Sequence, residues 1–277
     1  MSEYSQIEMI DTLEKPNIIE LKNITQTYKN SKGPIIENLN LLIEQTPGNG
    51  EFVVILGKSG CGKSTLLRYI AGLQTPSSGE VLIYDKPRSE HPNIGMVFQQ
   101  YSSFPWLTVQ ENVELGLKYQ NVSKKDRRDK AREMIKFVGL EGHEKKYAQY
   151  PSLSGGQLQR VAIARSLVVE PDILLMDEPF GALDIETRIH MQDLLCDLWN
   201  KLKFVVVFIT HELTEAVYLA DDVYVMKPNP AQIVKHFKIE LPVERTREIK
   251  KTTEFVTLTR EIESVMLDIE INCNTIK

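Results

Sequence analysis

Short apolar runs separated by turn residues dominate the first hundred residues, and they predict strands rather than helices. The run Phe52–Leu56 leads into a glycine-rich loop, after which Ser64–Ala71 has the pattern of a helix. Turn signals at Pro76–Gly79 and Pro92–Asn93 precede two later runs. The other expected strands are Ile18–Ile24, Leu39–Glu44, Val81–Tyr84 and Ile94–Phe98.

The pattern changes to helical spacing between Val109 and Leu167, and strand and helix then alternate again. Such alternation is typical of a parallel sheet covered by helices, with residues 110–167 as a helical insertion. The expected helices are Val113–Tyr119, Lys124–Val138, Gly155–Leu167, Ile185–Leu202 and Thr214–Leu219, and the later strands are Ile173–Met176, Phe204–Ile209 and Val223–Met226.

The two ends of the chain have weaker patterns. Residues 1–16 are polar and acidic, so we expect a flexible leader before the main domain at residues 17–240. Beyond Pro230 the pattern indicates a short hairpin-like segment and then a partly helical tail over residues 241–277. That tail carries no motif that would assign it a role.

Composition indicates a globular protein with a sizeable core. The chain has 277 residues, of which 42% are hydrophobic, and its formal net charge is −5. This acidic balance disfavours nucleic acid as a partner, because such binding draws on clustered Lys and Arg. Cys61, Cys196 and Cys273 lie far apart and form no C-x-x-C pair, which disfavours disulfides and zinc. No basic and apolar leader and no run of about 20 apolar residues is present.

The segment from Gly57 to Thr65 matches the pattern G-x-x-x-x-G-K-[ST] between a buried strand and a helix. Its glycines, Gly57, Gly60 and Gly62, permit backbone angles that let successive N–H groups turn towards phosphate oxygens. Lys63 is expected to bind the β- and γ-phosphates, and the hydroxyl of Ser64 to bind Mg²⁺. The remaining loop residues contribute backbone groups, and the side chain of Lys58 is expected to be solvated: Lys58, Ser59, Cys61 and Thr65. The loop therefore predicts a nucleoside triphosphate site.

An acidic pair follows the apolar run Ile173–Met176. We expect Asp177 to hold Mg²⁺ and Glu178 to polarise the attacking water. Because neighbouring side chains on a strand point in opposite directions, the two carboxylates would have separate tasks.

Between these two motifs, Leu153-Ser-Gly-Gly-Gln157-Leu-Gln-Arg160 resembles the signature of ATP-binding cassette (ABC) ATPases, and the resemblance covers about residues 17–240. It implies an α/β fold of the P-loop NTPase (RecA-like) type. That fold has a mostly parallel sheet core, an antiparallel β subdomain and an inserted α-helical subdomain. It also implies that the N-terminal end of the signature helix contacts the γ-phosphate held by the other subunit of a dimer, through Ser154, Gly155, Gly156 and Gln157.

The resemblance extends to other positions. Tyr28 matches the aromatic residue that stacks on adenine, although a strand-edge tyrosine is the alternative. Gln99 matches the glutamine that reaches Mg²⁺ and the water, with Gln100 leaving the register ambiguous. Asp184 ends a loop that communicates across the dimer, and His211 matches the switch histidine on the γ-phosphate. ATP and Mg²⁺ are thus the implied cofactors.

The amino-acid sequences of several segments are similar to those of the nitrate, sulfonate and taurine importer branch of the family. In such importers the stretch Tyr101–Val109, with Phe104 and Trp106, receives a helix of the membrane partner. The resemblance implies a homodimer or a paired ABC subunit, transmembrane permease subunits and an extracytoplasmic solute-binding protein. It places the chain at the cytoplasmic face of the cell membrane.

Other functions are less compatible with the sequence or stay open. A nucleic-acid ABC ATPase would carry long coiled coils between Thr65 and Leu153, where only a short stretch without heptads is present. A small-molecule kinase is disfavoured by Ser154–Arg160. An efflux system stays open, since the motor subunit does not read the transported solute.

Overall fold

The computed structural model describes residues 17–29, 31, 33–44, 50–90, 93–100 and 102–275, with side chains as far as residue 271. The leader expected at residues 1–16 lies outside this part of the chain, as do His91, Pro92 and Tyr101. Within it, ten strands form two sheets and alternate with helices, which confirms the predicted α/β class.

The smaller sheet is antiparallel, with strand order β2-β1-β4-β5. Between Leu39 and Glu44 every second residue of β2 is buried, as expected for a strand with one solvated face. This sheet is the antiparallel β subdomain that the family resemblance implied. Its strands are β1 (Asn17–Gln26), β2 (Ile36–Glu44), β4 (Ser78–Ile83) and β5 (Lys86–Pro87).

The larger sheet has the order β10-β9-β3-β8-β7-β6, and its neighbours are parallel except for the edge strand β10. The residues of β3, β7 and β8 are buried on both faces, which explains why these strands are continuous apolar runs. The parallel strands end on one edge, where the predicted motifs follow. The strands are β3 (Phe52–Leu56), β6 (Ile94–Val97), β7 (Ile173–Asp177), β8 (Val205–Thr210), β9 (Asp222–Lys227) and β10 (Gln232–Lys238).

Helices cover both faces of this sheet and create two cores. Val53 and Ile55 pack with α1 and the small sheet, whereas Phe52, Val54 and Leu56 pack with α5, α6 and α7. The helices are α1 (Lys63–Ile70), α5 (Ile185–Leu202), α6 (Leu213–Leu219) and α7 (Thr253–Thr275).

Three helices between β6 and β7 form the expected insertion: α2 (Val109–Tyr119), α3 (Lys124–Phe137) and α4 (Gly155–Leu167). Helix α2 begins earlier than the predicted Val113, because Thr108 and Glu111 form a reciprocal capping box at its start. The buried side chain of Asn112 bonds the backbone of Phe104 and Leu107, and so fixes the loop before the helix.

The C-terminal segment is more regular than the partly helical tail expected from the sequence. A 3-10 turn at Arg247–Lys251 leads into α7, whose side chains Phe255 and Ile262 are buried in the core. None of the helices in the described ranges combines the length and apolarity that crossing a membrane would require.

Candidate functional site

The glycine-rich loop joins the end of β3 to the start of α1, as the sequence predicts. Gly60 and Gly62 have φ angles of 80° and 100°, a region that side chains rarely adopt. A Cβ atom on Gly57 would lie 2.7 Å from the carbonyl oxygen of Met226 and 2.9 Å from the sulfur of Cys61. Glycine is therefore required at these positions for two reasons, backbone angle and close packing.

Lys63 lies inside this loop and is only 3% exposed. Its Nζ donates hydrogen bonds to the carbonyl oxygens of Gly57 (2.7 Å) and Lys58 (3.0 Å). It also forms an ion pair with Oε1 of Glu178 at 3.3 Å. The loop thus wraps around the ammonium group, which faces the carboxylate at the end of β7.

Ser64 and Asp177 are in direct contact, since Oγ of Ser64 donates to Oδ1 of Asp177 at 2.8 Å. Burial raises the pKa of Asp177 above its usual value, and the hydrogen bond from Ser64 opposes that rise. A hydroxyl and a carboxylate at this distance are oxygen donors of the kind Mg²⁺ prefers. No cluster of three His, Cys, Asp or Glu side chains suited to a metal was found among the described residues. The hydroxyl of Ser64 and the carboxylate of Asp177 therefore fit a Mg²⁺ ion whose other ligands would be nucleotide phosphates and water.

Glu178 lies in a turn with a φ angle of 43°, just beyond the end of β7. Its carboxylate contacts Lys63, and its Oε2 also lies 3.0 Å from Nδ1 of His211 and 3.4 Å from Nε2 of Gln99. The argument from strand alternation was wrong here, because this left-handed turn, not the strand, sets the direction of the side chain. A non-glycine residue in this region is a strained conformation of the kind found at functional sites.

Six of the predicted side chains therefore meet at one edge of the sheet. They come from the ends of β6, β7 and β8 and from the start of α1, where a triphosphate would meet open backbone N–H groups. These residues are Lys63, Ser64, Gln99, Asp177, Glu178 and His211.

The signature residues are bonded within the helical insertion. Oγ of Ser154 accepts from the backbone N–H of Gln157, and the side chain of Gln157 bonds Ser154 N and His143. Ser154 is exposed at the N-terminal end of α4. A Cβ on Gly156 would lie 2.5 Å from the side chain of Thr187, so the small residue permits close packing on α5.

Two other predicted site residues, Asp184 and Tyr28, form hydrogen bonds away from these six side chains. Asp184 caps α5 by accepting hydrogen bonds from Thr187 N (3.0 Å) and Oγ1 (2.7 Å), which lower its pKa. Tyr28 is exposed after β1, and its hydroxyl accepts from Gln74 at 3.1 Å. Stacking of Tyr28 on adenine stays a prediction.

The side chain of Lys58 was expected to be solvated, and it is 56% exposed, but its ion-pair partner was missed. Its Nζ forms an ion pair with Glu270 of α7 at 2.6 Å. The sequence analysis also missed Glu215 of α6, which is buried and accepts a hydrogen bond from Thr210. Neither contact has a local sequence pattern. An acidic residue in the first turn of the helix after His211 was the only available hint of Glu215.

A cavity of about 630 Å³ lies elsewhere, between α3, the end of α5 and the starts of β7 and β8. Lys130, Phe137, Asp172 and Phe204 are among its lining residues. It is remote from the carboxyl ends of the strands, so the chemistry of the predicted site does not depend on it.

Comparison with known proteins agrees with this geometry. Residues 36–181 match the family model described as "ABC transporter". The chain is 45% identical over 258 residues to the nitrate import ATP-binding protein NrtD of Synechocystis sp., covering 90% of this chain and 94% of that protein. It is 40% identical over 235 residues to the aliphatic sulfonates import ATP-binding protein SsuB of Bacillus cereus, covering 83% and 89%.

Solved structures of ABC proteins are also similar to this chain. The dimeric ATP-binding cassette MJ0796 in a post-hydrolysis state with ADP and Pi is 36% identical, with a TM-score of 0.69, and covers 81% of this chain and 100% of its own. The cbiO1 protein of Clostridium perfringens, part of the ABC transporter complex cbiONQ, is 26% identical, with a TM-score of 0.71, and covers 90% and 100%.

Proposed function

This chain belongs to the ABC transporter family, and we propose that its ATP hydrolysis energises the uptake of a small anion or sulfonate-like solute through a separate membrane permease. As an ABC-type ATPase it is the ATP-binding subunit of an importer-type system. One observation supports ATP hydrolysis by this chain: Lys63, Ser64, Asp177, Glu178 and His211 converge where the strands end. The solute class is proposed from the similarity to the nitrate and sulfonate import proteins.

The proposed tasks follow from the atoms in contact. Lys63 and the loop N–H groups hold the phosphates, while Ser64 and Asp177 hold Mg²⁺. Glu178 orients and polarises the water, and His211 bonds the γ-phosphate from the end of β8. Gln99, whose Nε2 lies 3.4 Å from Oε2 of Glu178, would help to hold Mg²⁺ and the water. When bound, Mg²⁺ supplies charge neutralisation for the phosphates.

We propose that two chains, or this chain and a paired ABC subunit, form composite sites. Ser154 is exposed at a capped helix N-terminus, which favours an anion supplied by a partner. Shifting closure from 1:99 to 99:1 needs about 5.5 kcal/mol. Split between two sites, a few charge-assisted hydrogen bonds of roughly 1.5–3 kcal/mol each would suffice. Hydrolysis removes those bonds and reopens the dimer.

The loop before α2 supports docking of a permease. Trp106 is 68% exposed, and its ring centroid lies 5.3 Å from that of Phe104. Phe104 is held in turn by Arg165, whose guanidinium stacks 5.1 Å from the ring, and by Asn112. A fixed base that presents an exposed tryptophan suits an interface anchor. In this arrangement the chain is peripheral, at the cytoplasmic face of the membrane, and the solute-binding protein lies on the other side.

The solute is tested by uptake. In cells that lack this chain, uptake of isotope-labelled nitrate and of a labelled alkanesulfonate is measured before and after the wild-type chain or Lys63→Ala is supplied. We expect one solute to lose uptake on deletion, and only the wild-type chain to restore it. Unchanged uptake of both solutes would contradict the proposed solute class, and restoration by Lys63→Ala would contradict the coupling to ATP.

A further inference from the structure

The C-terminal segment, Arg247–Thr275, is connected to the candidate ATP site in two separate ways. The first is a row of hydrogen bonds through the interior. Lys250 Nζ donates to Gln192 Oε1 (3.0 Å), and Gln192 Nε2 donates to Glu215 Oε1 (3.1 Å). Thr210 Oγ1 donates to Glu215 Oε2 at 2.5 Å. The row therefore ends at the residue that precedes His211.

This row is buried, so its members depend on one another. Gln192, Glu215 and Thr210 are all buried, with Glu215 only 4% exposed. Burial raises the pKa of Glu215, whereas the hydrogen bonds from Thr210 and Gln192 lower it. Lys250 also stacks 4.0 Å from the ring centroid of Tyr218. Because unsatisfied buried polar groups are costly, loss of one member disturbs the next.

The row has a clear structural task at His211. Helix α6 begins at Leu213, and its N-cap Glu212 makes no side-chain cap hydrogen bond. Instead, Thr210 Oγ1 accepts from Glu212 N (3.0 Å) while donating to Glu215. The turn that carries His211 is therefore fixed by Thr210 and Glu215 from both sides.

The second contact is at the phosphate loop. Glu270 of α7 pairs with Lys58 at 2.6 Å, and Met266 and Ile269 lie beside Met226 and Gly57. Met226 in turn borders the loop, since its Cε lies 3.3 Å from where a Cβ on Gly62 would be. The outer arm of the loop is thus joined to α7 by a partly exposed ion pair, beside a small cleft that Met266 and Ile269 line.

We propose that Lys250 and Glu270 are positioning residues, through which the C-terminal segment holds the switch histidine and the phosphate loop in place for hydrolysis. Lys250 acts on His211 through Gln192, Glu215 and Thr210. Glu270 acts on the phosphate loop through Lys58. Neither touches the nucleotide. This inference rests on the tasks proposed above for Lys63 and His211.

The first test compares adjacent lysines in the full-length chain. Lys250→Met removes the donor to Gln192 but keeps the aliphatic stem, whereas Lys251→Met removes an exposed charge paired only locally with Glu248. We expect Lys250→Met to lower kcat about tenfold, with KM for Mg-ATP within about twofold, because a positioning defect at His211 affects the reaction more than binding. Lys251→Met should match the wild type, and Lys250→Arg should recover most of the activity because it keeps a donor.

The second test uses charge reversal on one helix. Glu270→Lys should raise KM for Mg-ATP about threefold to tenfold, whereas Glu263→Lys, at an exposed position of the same helix, should not. Adding Lys58→Glu to Glu270→Lys should restore part of the lost affinity by rebuilding the pair.

Equal kinetics for Lys250→Met and Lys251→Met would overturn the first contact, and equal KM for the two helix variants would overturn the second. Thermal unfolding of each variant separates these effects from a general loss of folding. Absence of ATP hydrolysis in the folded wild-type chain would instead overturn the proposed tasks of the site.

Discussion

Replacing Glu178 with glutamine should separate ATP binding from hydrolysis. The carboxylate lies 3.3 Å from the ammonium group of Lys63, and both side chains are shielded from solvent. A triphosphate held by Lys63 competes with Glu178 for that charge. At an effective dielectric constant of about 20 the pair attracts by roughly 4–5 kcal/mol. Most of this is offset by desolvation, so we expect a net gain of about 1–2 kcal/mol in ATP binding, or roughly fivefold to thirtyfold.

The same substitution removes the group proposed to polarise the water. An amide cannot take a proton from it, so hydrolysis should fall about a hundredfold or more. Tighter binding and blocked hydrolysis together should trap a nucleotide-bound dimer. Single-turnover hydrolysis, equilibrium binding of ATP and size-exclusion chromatography with Mg-ATP measure the three effects.

Glu212→Gln is the matched control. This partly exposed carboxylate is also close to His211, at 3.8 Å, but it pairs with Arg188 rather than with Lys63. It should hydrolyse ATP within about threefold of the wild type. If Glu178→Gln hydrolyses ATP as fast as Glu212→Gln, Glu178 is not the residue that activates water. A monomer in saturating Mg-ATP would refute the trapped dimer.

Three further predictions concern assembly and stability. Mixing the two inactive variants Lys63→Ala and Ser154→Arg should restore ATPase activity, because a dimer that contains one chain of each variant retains one intact composite site. If activity does not recover after the chains have been shown to exchange, the sites are not shared between subunits. Gly79→Ala should lower the free energy of unfolding in urea by about 2–4 kcal/mol, because φ is 100° there and a Cβ would lie 2.5 Å from a backbone oxygen of β1. Gly33→Ala is the control, since a Cβ on Gly33 would have no atom within 4 Å. Burial and two neighbouring aspartates raise the pKa of Glu51 to about 8, so the folded chain keeps a proton that the unfolded chain releases above its ordinary value of 4.5. The stability this proton confers is complete below about pH 4.5 and lost as the pH rises through 8. The free energy of unfolding of Glu51→Gln, measured in urea, should therefore rise by about 1–2 kcal/mol relative to that of the wild type between pH 6 and 7.5. A difference that stays constant over this range would refute the assignment.

The sequence predicts most elements because their signals are local. Phe52–Leu56 and Ile173–Met176 are continuous apolar runs because they lie in a sheet covered on both faces. The order of strands is different: β3 lies between β8 and β9, and no pattern within Phe52–Leu56 specifies those neighbours. The length of α7 was also missed, because its buried residues are spaced for contact with α6 and β9 rather than marked by a strong cap.

In the candidate site, too, some features could be predicted from local sequence and others could not. The phosphate loop could be read directly, since one short segment holds the glycines, Lys63 and Ser64 that a phosphate needs. The left-handed turn at Glu178 could not, because its φ angle of 43° depends on the packing of the turn beyond β7. The pairing of Lys58 with Glu270 joins distant parts of the chain that share no motif.

The arrangement around Thr210 explains why these remote contacts matter for the site. Its backbone carbonyl accepts from Gly57 N at 3.4 Å, at the start of the phosphate loop, and its hydroxyl bonds Glu215 at 2.5 Å. One residue at the end of β8 therefore joins the phosphate loop, the turn that carries His211 and the buried row from Lys250. The buried row thus reaches the strand end beside His211, whereas Glu270 reaches the phosphate loop separately through Lys58.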